Sequence, residues 1–230
     1  MLCTHGAIKG RIVIFCVLCY FLCQTGWSQI AADKDGVYLY SGFSSTLPGS
    51  GNSLAFYYGY SPSDNFQSLI VLPFFKITKN IQFMPGYMQT KADGYPMFTN
   101  VRHHLLPSVI LNFKISDKLT LTDRNMWYHL FLDNARDVNL YRNRLGLIYH
   151  SKLFKKPLNL FIHDAMFFDM NDHWKFFRNR IILGANMSMF EWLTPQVWYV
   201  YQNESGILPE HQFYLILTVP LEKFGVFKKK

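Results

Sequence analysis

The sequence predicts an all-β chain: an antiparallel up-and-down transmembrane β-barrel of about ten strands, with twelve as the alternative, preceded by a cleavable signal peptide. Three observations carry that reading. After residue 35 the chain breaks into strand-like runs of roughly 9–14 residues divided by turn signals. Charged residues make up 17% of the 230, below the ~25% usual in soluble domains, while aromatics also reach 17%. No apolar run after residue 30 reaches helix-spanning length. A membrane-spanning fold must then be a closed barrel, in which backbone N–H and C=O groups pair between strands.

The N-terminus has the layout of a secretory signal peptide over residues 1–28. Lys9 and Arg11 precede residues 12–23, twelve residues without a charge, and Gly26 and Ser28 stand at −3 and −1 of cleavage before Gln29. The bulk of Leu22 argues against lipid attachment at Cys23. All four cysteines (Cys3, Cys16, Cys19, Cys23) lie in this segment. The exported chain therefore has no disulfide, and a closed hydrogen-bonded sheet must supply its stability. With Lys9 and Arg11 taken from the 23 basic residues, 21 face 15 acidic ones, a net charge of +6. The basic residues are dispersed except at residues 228–230, so no nucleic-acid partner is expected.

Strands are expected near 36–44, 52–60, 66–77, 80–90, 101–115, 118–130, 139–151, 157–169, 176–189, 192–202 and 210–220. The connectors justify them in order. "TKN" (78–80), "SDK" (116–118), "FKKP" (154–157) and "FEW" (190–192) are tight. "KADGYPMFTN" (91–100), "LDNARDVN" (132–139), "MNDHWK" (170–175) and "NESGILPE" (203–210) are longer and more polar. Short turns at one end and longer loops at the other describe an outer-membrane barrel. Counted back from a last strand ending in the periplasm, residues 52–220 supply ten strands, an even number as in bacterial single-chain barrels. The barrel domain then spans 52–230. Residues 29–51 form an N-terminal segment of uncertain pairing: an edge, a lumen insertion, or part of a twelfth strand. Pro73, Pro85, Pro107 and Pro195 fall inside strands and each removes a ladder donor, so bulges are expected there. Asp123 and Asp164 have lipid-facing parity unless a bulge precedes them.

Three hairpins share one design, beginning at Arg102, Arg142 and Arg178, with spacings of 40 and 36 residues. "YRNRLGLIYH" (141–150) and "FRNRIILGAN" (177–186) are the most alike. Alternation puts Arg142, Arg144, Gly146, Ile148 and His150 on one face, with Tyr141, Leu145, Leu147 and Tyr149 on the other. In the second copy Arg178, Arg180, Gly184, Asn186 and Ser188 share a face, opposite Phe177, Ile181, Leu183, Ala185 and Met187. An arginine turned to lipid at midplane costs ~2–4 kcal/mol, so the arginines belong to the lumen. Gly146→Ser and Asn186→Ser are then expected to be tolerated, and Leu147→Arg and Leu183→Arg to impair insertion.

"YRNRLGL", "LNLFIHDAMFF", "FRNRIILGANMSMFEWLTPQVWYVYQ" and "HQFYLILTVPL", with the earlier "VRHHLLPSVILNFKISDKLTL", resemble a family of uncharacterised outer-membrane barrel proteins, the domain of unknown function 2490. The likeness spans roughly residues 66–221. It implies the barrel fold and a location in the outer membrane of a Gram-negative bacterium, and it implies no reaction. The partners of such a protein are outer-membrane lipid and lipopolysaccharide and the barrel-assembly machinery.

The candidate site is a basic arc in the outer lumen: Arg102, His104, Arg142, Arg144, Arg178 and Arg180. It would attract a small anionic solute or hold phosphates at the rim. The favoured alternative is a salt-bridged plug in a narrow barrel. Asp169 is its acidic partner, with Asp133, Asp137 and Asp172 in adjoining loops. No catalytic residue, cofactor or metal is expected. His163 and Asp164, like His103 and His104, are strand neighbours whose side chains diverge, and the loop trio Asn171, Asp172 and His173 reads as a solvated turn. Aromatics near strand ends, among them Trp127, Tyr128, Phe167, Phe168, Trp174, Phe176 and Phe177, read as interface girdles, with Tyr95 and Trp174 as alternative sugar platforms. The functional reading is an integral outer-membrane barrel, structural or a narrow or plugged pore. An outer-membrane rim hydrolase and a secreted soluble β-barrel for an apolar ligand are the alternatives.

Overall fold

The computed structural model describes residues 36–47, 49–63, 65–91, 101–132 and 135–224. The expected signal peptide, Asp133 and Tyr95 lie outside the described residues. Among these residues eleven strands form one closed barrel. They are β1 (Gly36–Thr46), β2 (Ser53–Ser61), β3 (Phe66–Lys76), β4 (Ile81–Lys91), β5 (Arg102–Lys114), β6 (Leu119–Leu130), β7 (Val138–Leu153), β8 (Lys156–Asp169), β9 (Lys175–Met187), β10 (Thr194–Glu204) and β11 (Ile207–Pro220). A short 3-10 helix, Leu221–Phe224, follows. No helix among the described residues is long and apolar enough to cross a membrane.

The count corrects the expectation of ten strands, or twelve. Residues 36–46, whose pairing the sequence left open, are a full strand of the wall. β1 pairs antiparallel with β2, Tyr40 opposite Gly59, and parallel with β11, Tyr40 opposite Ile216. The parallel seam is a consequence of parity: in an up-and-down barrel with an odd number of strands, the first and last point the same way. All other neighbours are antiparallel.

Each expected strand is present, and the connectors differ more. Residues 92–101 and 131–137 are the longest connections and share one rim, called here the upper rim. "NESGILPE" is not a loop: β10 and β11 meet at residues 205–206, where Gly206 takes φ 79° and permits a tight turn. At the opposite rim Lys114 holds Asp117 at 2.6 Å, which keeps that carboxyl below its ordinary range.

The prolines are absorbed without bulges. Pro85 stands directly opposite Pro107, and the β3–β4 register places Pro73 at the same level. Stacking three missing donors in one row confines the gap in the ladder to that level. Bulges occur instead between Phe167 and Phe168 and between Gln202 and Glu204.

Alternation sorts the wall as the pleat requires. Leu105, Val109, Leu145, Leu147, Ile162 and Leu183 are exposed on the outer surface, while Met84, Leu106, Met126, Ala165, Ile182 and Val200 are buried inside. The apolar outer face is the reverse of that of a soluble barrel, which is solvated.

Candidate functional site

The upper half of the lumen is lined by five arginines from three strands. β6–β9 pairing places Arg124 opposite Arg144, Arg144 opposite Ala165 and Ala165 opposite Arg180. One level higher, Met126 faces Arg142, Arg142 faces Phe167 and Phe167 faces Arg178. The same dipeptide sets this up on each strand: Arg124-Asn125, Arg142-Asn143 and Arg178-Asn179. Its arginine points in, and its asparagine points out by alternation. Arg124 was missed in the sequence. The third Arg-Asn was the available signal, obscured because Asp123 beside it looked out of place.

Phe167 is the spacer between the arginine strands. Its ring centroid lies 4.9 Å from the Arg142 guanidinium carbon, 5.2 Å from that of Arg180 and 5.5 Å from that of Arg178. Each such contact contributes ~0.5–2 kcal/mol depending on desolvation. The bulge leaves Phe177 unpaired with β8 and turns it inward against the buried lumen cluster. There it lies 5.2 Å under Arg178, not on the outer face where alternation had put it. Phe167 and Tyr128 likewise line the lumen, whereas Trp127, Trp174 and Phe176 are exposed as a girdle would be.

The acid that meets the arginines is Glu204. Its Oε2 accepts from Arg178 Nε at 2.7 Å and Nη2 at 2.6 Å. Arg180 Nε donates to Gln202 Oε1 at 2.5 Å, and Gln202 Nε2 donates to Glu210 Oε2 at 2.9 Å. Asp169, the expected partner, sits one level above the arginines opposite Leu140 and Lys175, and accepts the backbone N–H of Asn171 at 2.8 Å. It caps its own turn. Asp137 accepts from Leu132 N at 3.0 Å and approaches His129 at 3.3 Å, and Asp172 lies 3.4 Å from Lys175. The loop acids thus serve the loops. Nε of Arg142 and of Arg144 is buried without a hydrogen-bond partner.

The other expected members of the arc separate from it. Arg102 lies exposed at the rim. His104 is buried in the wall, its Nε2 2.7 Å from Thr90 Oγ1 and its Nδ1 2.6 Å from Tyr128 OH. His103 points the other way and meets Tyr87 OH at 2.6 Å. Among the described residues no group of three or more His, Cys, Asp or Glu converges on a metal position.

The arginines border a cavity of about 620 Å³. Across the barrel from β7, which lies five strands from β1 one way and six the other, the wall is aromatic and aliphatic. Tyr38, Tyr40, Tyr57, Ile70 and Leu72 line it, and Tyr214 stacks on Tyr38 at 4.7 Å. Among the described residues no carboxylate lines the cavity. Below it, His163 is buried against Phe161, ring centroids 5.0 Å apart, and occupies the space above Gly146. At the lower rim a chain of hydrogen bonds runs Thr120–His150–Asn159–Asn186 across four strands.

Asp123 and Asp164 do face outward: register is unbroken around them, and both stand opposite Leu145. Outward asparagines satisfy them. Asn125 and Asn143 donate to Asp123 at 3.0 and 2.7 Å, and Asn179 donates to Asp164. His163 and Asp164 therefore lie on opposite faces of the wall.

A family model described as a protein of unknown function, DUF2490, matches residues 55–212. The chain belongs to the DUF2490 family. Its barrel is similar to two solved porin structures. The NanC porin is 14% identical at a TM-score of 0.48, with 74% of this chain and 89% of that one covered. The KdgM porin is 11% identical at 0.44, with 70% and 80% covered. No curated protein matches this DUF2490 chain.

Proposed function

We propose that this protein is an integral outer-membrane barrel of a Gram-negative bacterium, exported by a cleaved signal peptide, whose lumen admits small anions. The observation that carries the reading is a charge imbalance. Five arginines border one cavity; among the described residues Arg178–Glu204 is the one ion pair they make, Glu210 reaches Arg180 through Gln202, and two guanidinium Nε atoms are buried without a hydrogen-bond partner. Guanidinium groups held this way bind carboxylate or phosphate oxygens through charge-assisted hydrogen bonds. A salt-bridged plug needs acids among the arginines, and Asp137, Asp169 and Asp172 are engaged by their own loops. The apolar outer surface supports the membrane location.

Fractionation of cells should recover the protein in outer membranes, with different gel mobility before and after boiling. In planar bilayers under a KCl gradient, the reversal potential should report anion preference. Arg142→Gln with Arg144→Gln should reduce it. A soluble periplasmic species, or a cation-preferring wild type, would sink the reading.

A further inference from the structure

We infer that the preferred ligand of this lumen is an amphipathic anion, a carboxylate on an aliphatic or aromatic body, held more tightly than the small inorganic anions the lumen also admits. The inference rests on the anion reading above and names its substrate class. The lumen of a water-filled barrel is polar. This cavity is lined by eleven aliphatic or methionine side chains, eight aromatic ones and five arginines, with Gln196 the one neutral amide. The charge, unlike the apolar surface, is confined to one side of the barrel. The arginines stand on β6, β7 and β9, and Tyr38, Tyr40, Ile70 and Leu72 stand across the barrel on β1 and β3. A small hydrophilic anion reaching Arg142 and Arg144 gains the guanidinium contacts but sheds water without covering the largely apolar lining around them. A carboxylate with an apolar body sets its head against the guanidinium groups that line the cavity and its body on that wall. Anionic phospholipid shares this chemistry, but the barrel wall is closed around the cavity, so a free acid entering from a rim is the occupant it suits.

The test uses purified protein in maltoside micelles at pH 8. The temperature at which the folded band is lost on an unboiled gel is followed against octanoate, acetate and 1-octanol. Octanoate should raise it at concentrations at least tenfold below those acetate requires, and 1-octanol should not raise it. Arg142→Gln with Arg144→Gln should abolish the octanoate response. Tyr40→Ser should weaken the octanoate response several-fold. If the double variant does not fold, the comparison of three ligands on the wild type decides by itself. Equal effects of octanoate and acetate would overturn the inference while leaving the anion reading intact, provided the reversal potential still shows anion preference. Equal effects of octanoate and 1-octanol would also overturn it, since the arginines would then play no part. Cation preference in the bilayer would overturn both.

Discussion

The Arg142 guanidinium lies 4.9 Å from the ring centroid of Phe167, on the strand between the two arginine pairs. Like-charged side chains on β7 and β9 are thus separated by an aromatic face, where an acid would otherwise be needed. The ring attracts three guanidiniums and consumes none of their hydrogen-bonding capacity. Phe167→Leu should therefore destabilise the barrel by about 1–3 kcal/mol, combining lost packing with lost cation–π contacts. Phe168→Leu, one residue on and facing outward, should cost less. Urea titrations of both variants in the same micelles measure the difference.

Glu204 is the acid that offsets the cluster. Glu204→Gln leaves Arg178 charged and poorly paired, and should cost about 1.5–3 kcal/mol, the usual range for a hydrogen bond to a charged group. It should also move the reversal potential toward greater anion preference. A variant that is destabilised with unchanged selectivity would place Glu204 outside the conducting path.

Gly146 should not accept a side chain. A Cβ there would lie 1.8 Å from His163 Cδ2 and 2.6 Å from the carbonyl oxygen of Ile162. Gly146→Ser, harmless on a roomy lumen face, is expected to abolish the heat-modifiable form. Asn186→Ser loses one hydrogen bond to Asn159 and should fold at a cost of about 1 kcal/mol.

Outward leucines set the register. Leu147→Arg and Leu183→Arg each place a guanidinium on the exposed apolar surface, at about 2–4 kcal/mol if the position lies near the bilayer midplane. Folding yield into lipid vesicles should fall for both, and much less for Leu153→Arg at the lower end of β7.

The parallel seam is open to a direct chemical test. Residues 29–230 contain no cysteine. Leu39 stands opposite Leu215, so Leu39→Cys with Leu215→Cys should oxidise to a disulfide within the folded barrel. Leu39→Cys with Leu217→Cys, two residues out of register, should cross-link far less. Efficient cross-linking only in the second pair would refute the observed closure.

By itself the sequence determined the strands, their boundaries to within a few residues, and the faces of the two Arg-Asn-Arg segments. Those follow from a period of two and from the cost of placing charge in lipid, both of which act locally along one strand. It also contained the family likeness. Three things were decided only in the tertiary structure. Whether residues 36–46 joined the wall depended on edges left by β2 and β11, which no local pattern records. What separates the arginines depended on the level of β8 relative to β7 and β9. That level puts Phe167 between them and Asp169 above, where its own turn takes the carboxylate. And Gly146 looked free because alternation says which face a residue is on, but not what fills that face. His163, the cross-strand partner of Gly146 on β8, fills it, and only the β7–β8 register decides which inward side chain lies over the glycine.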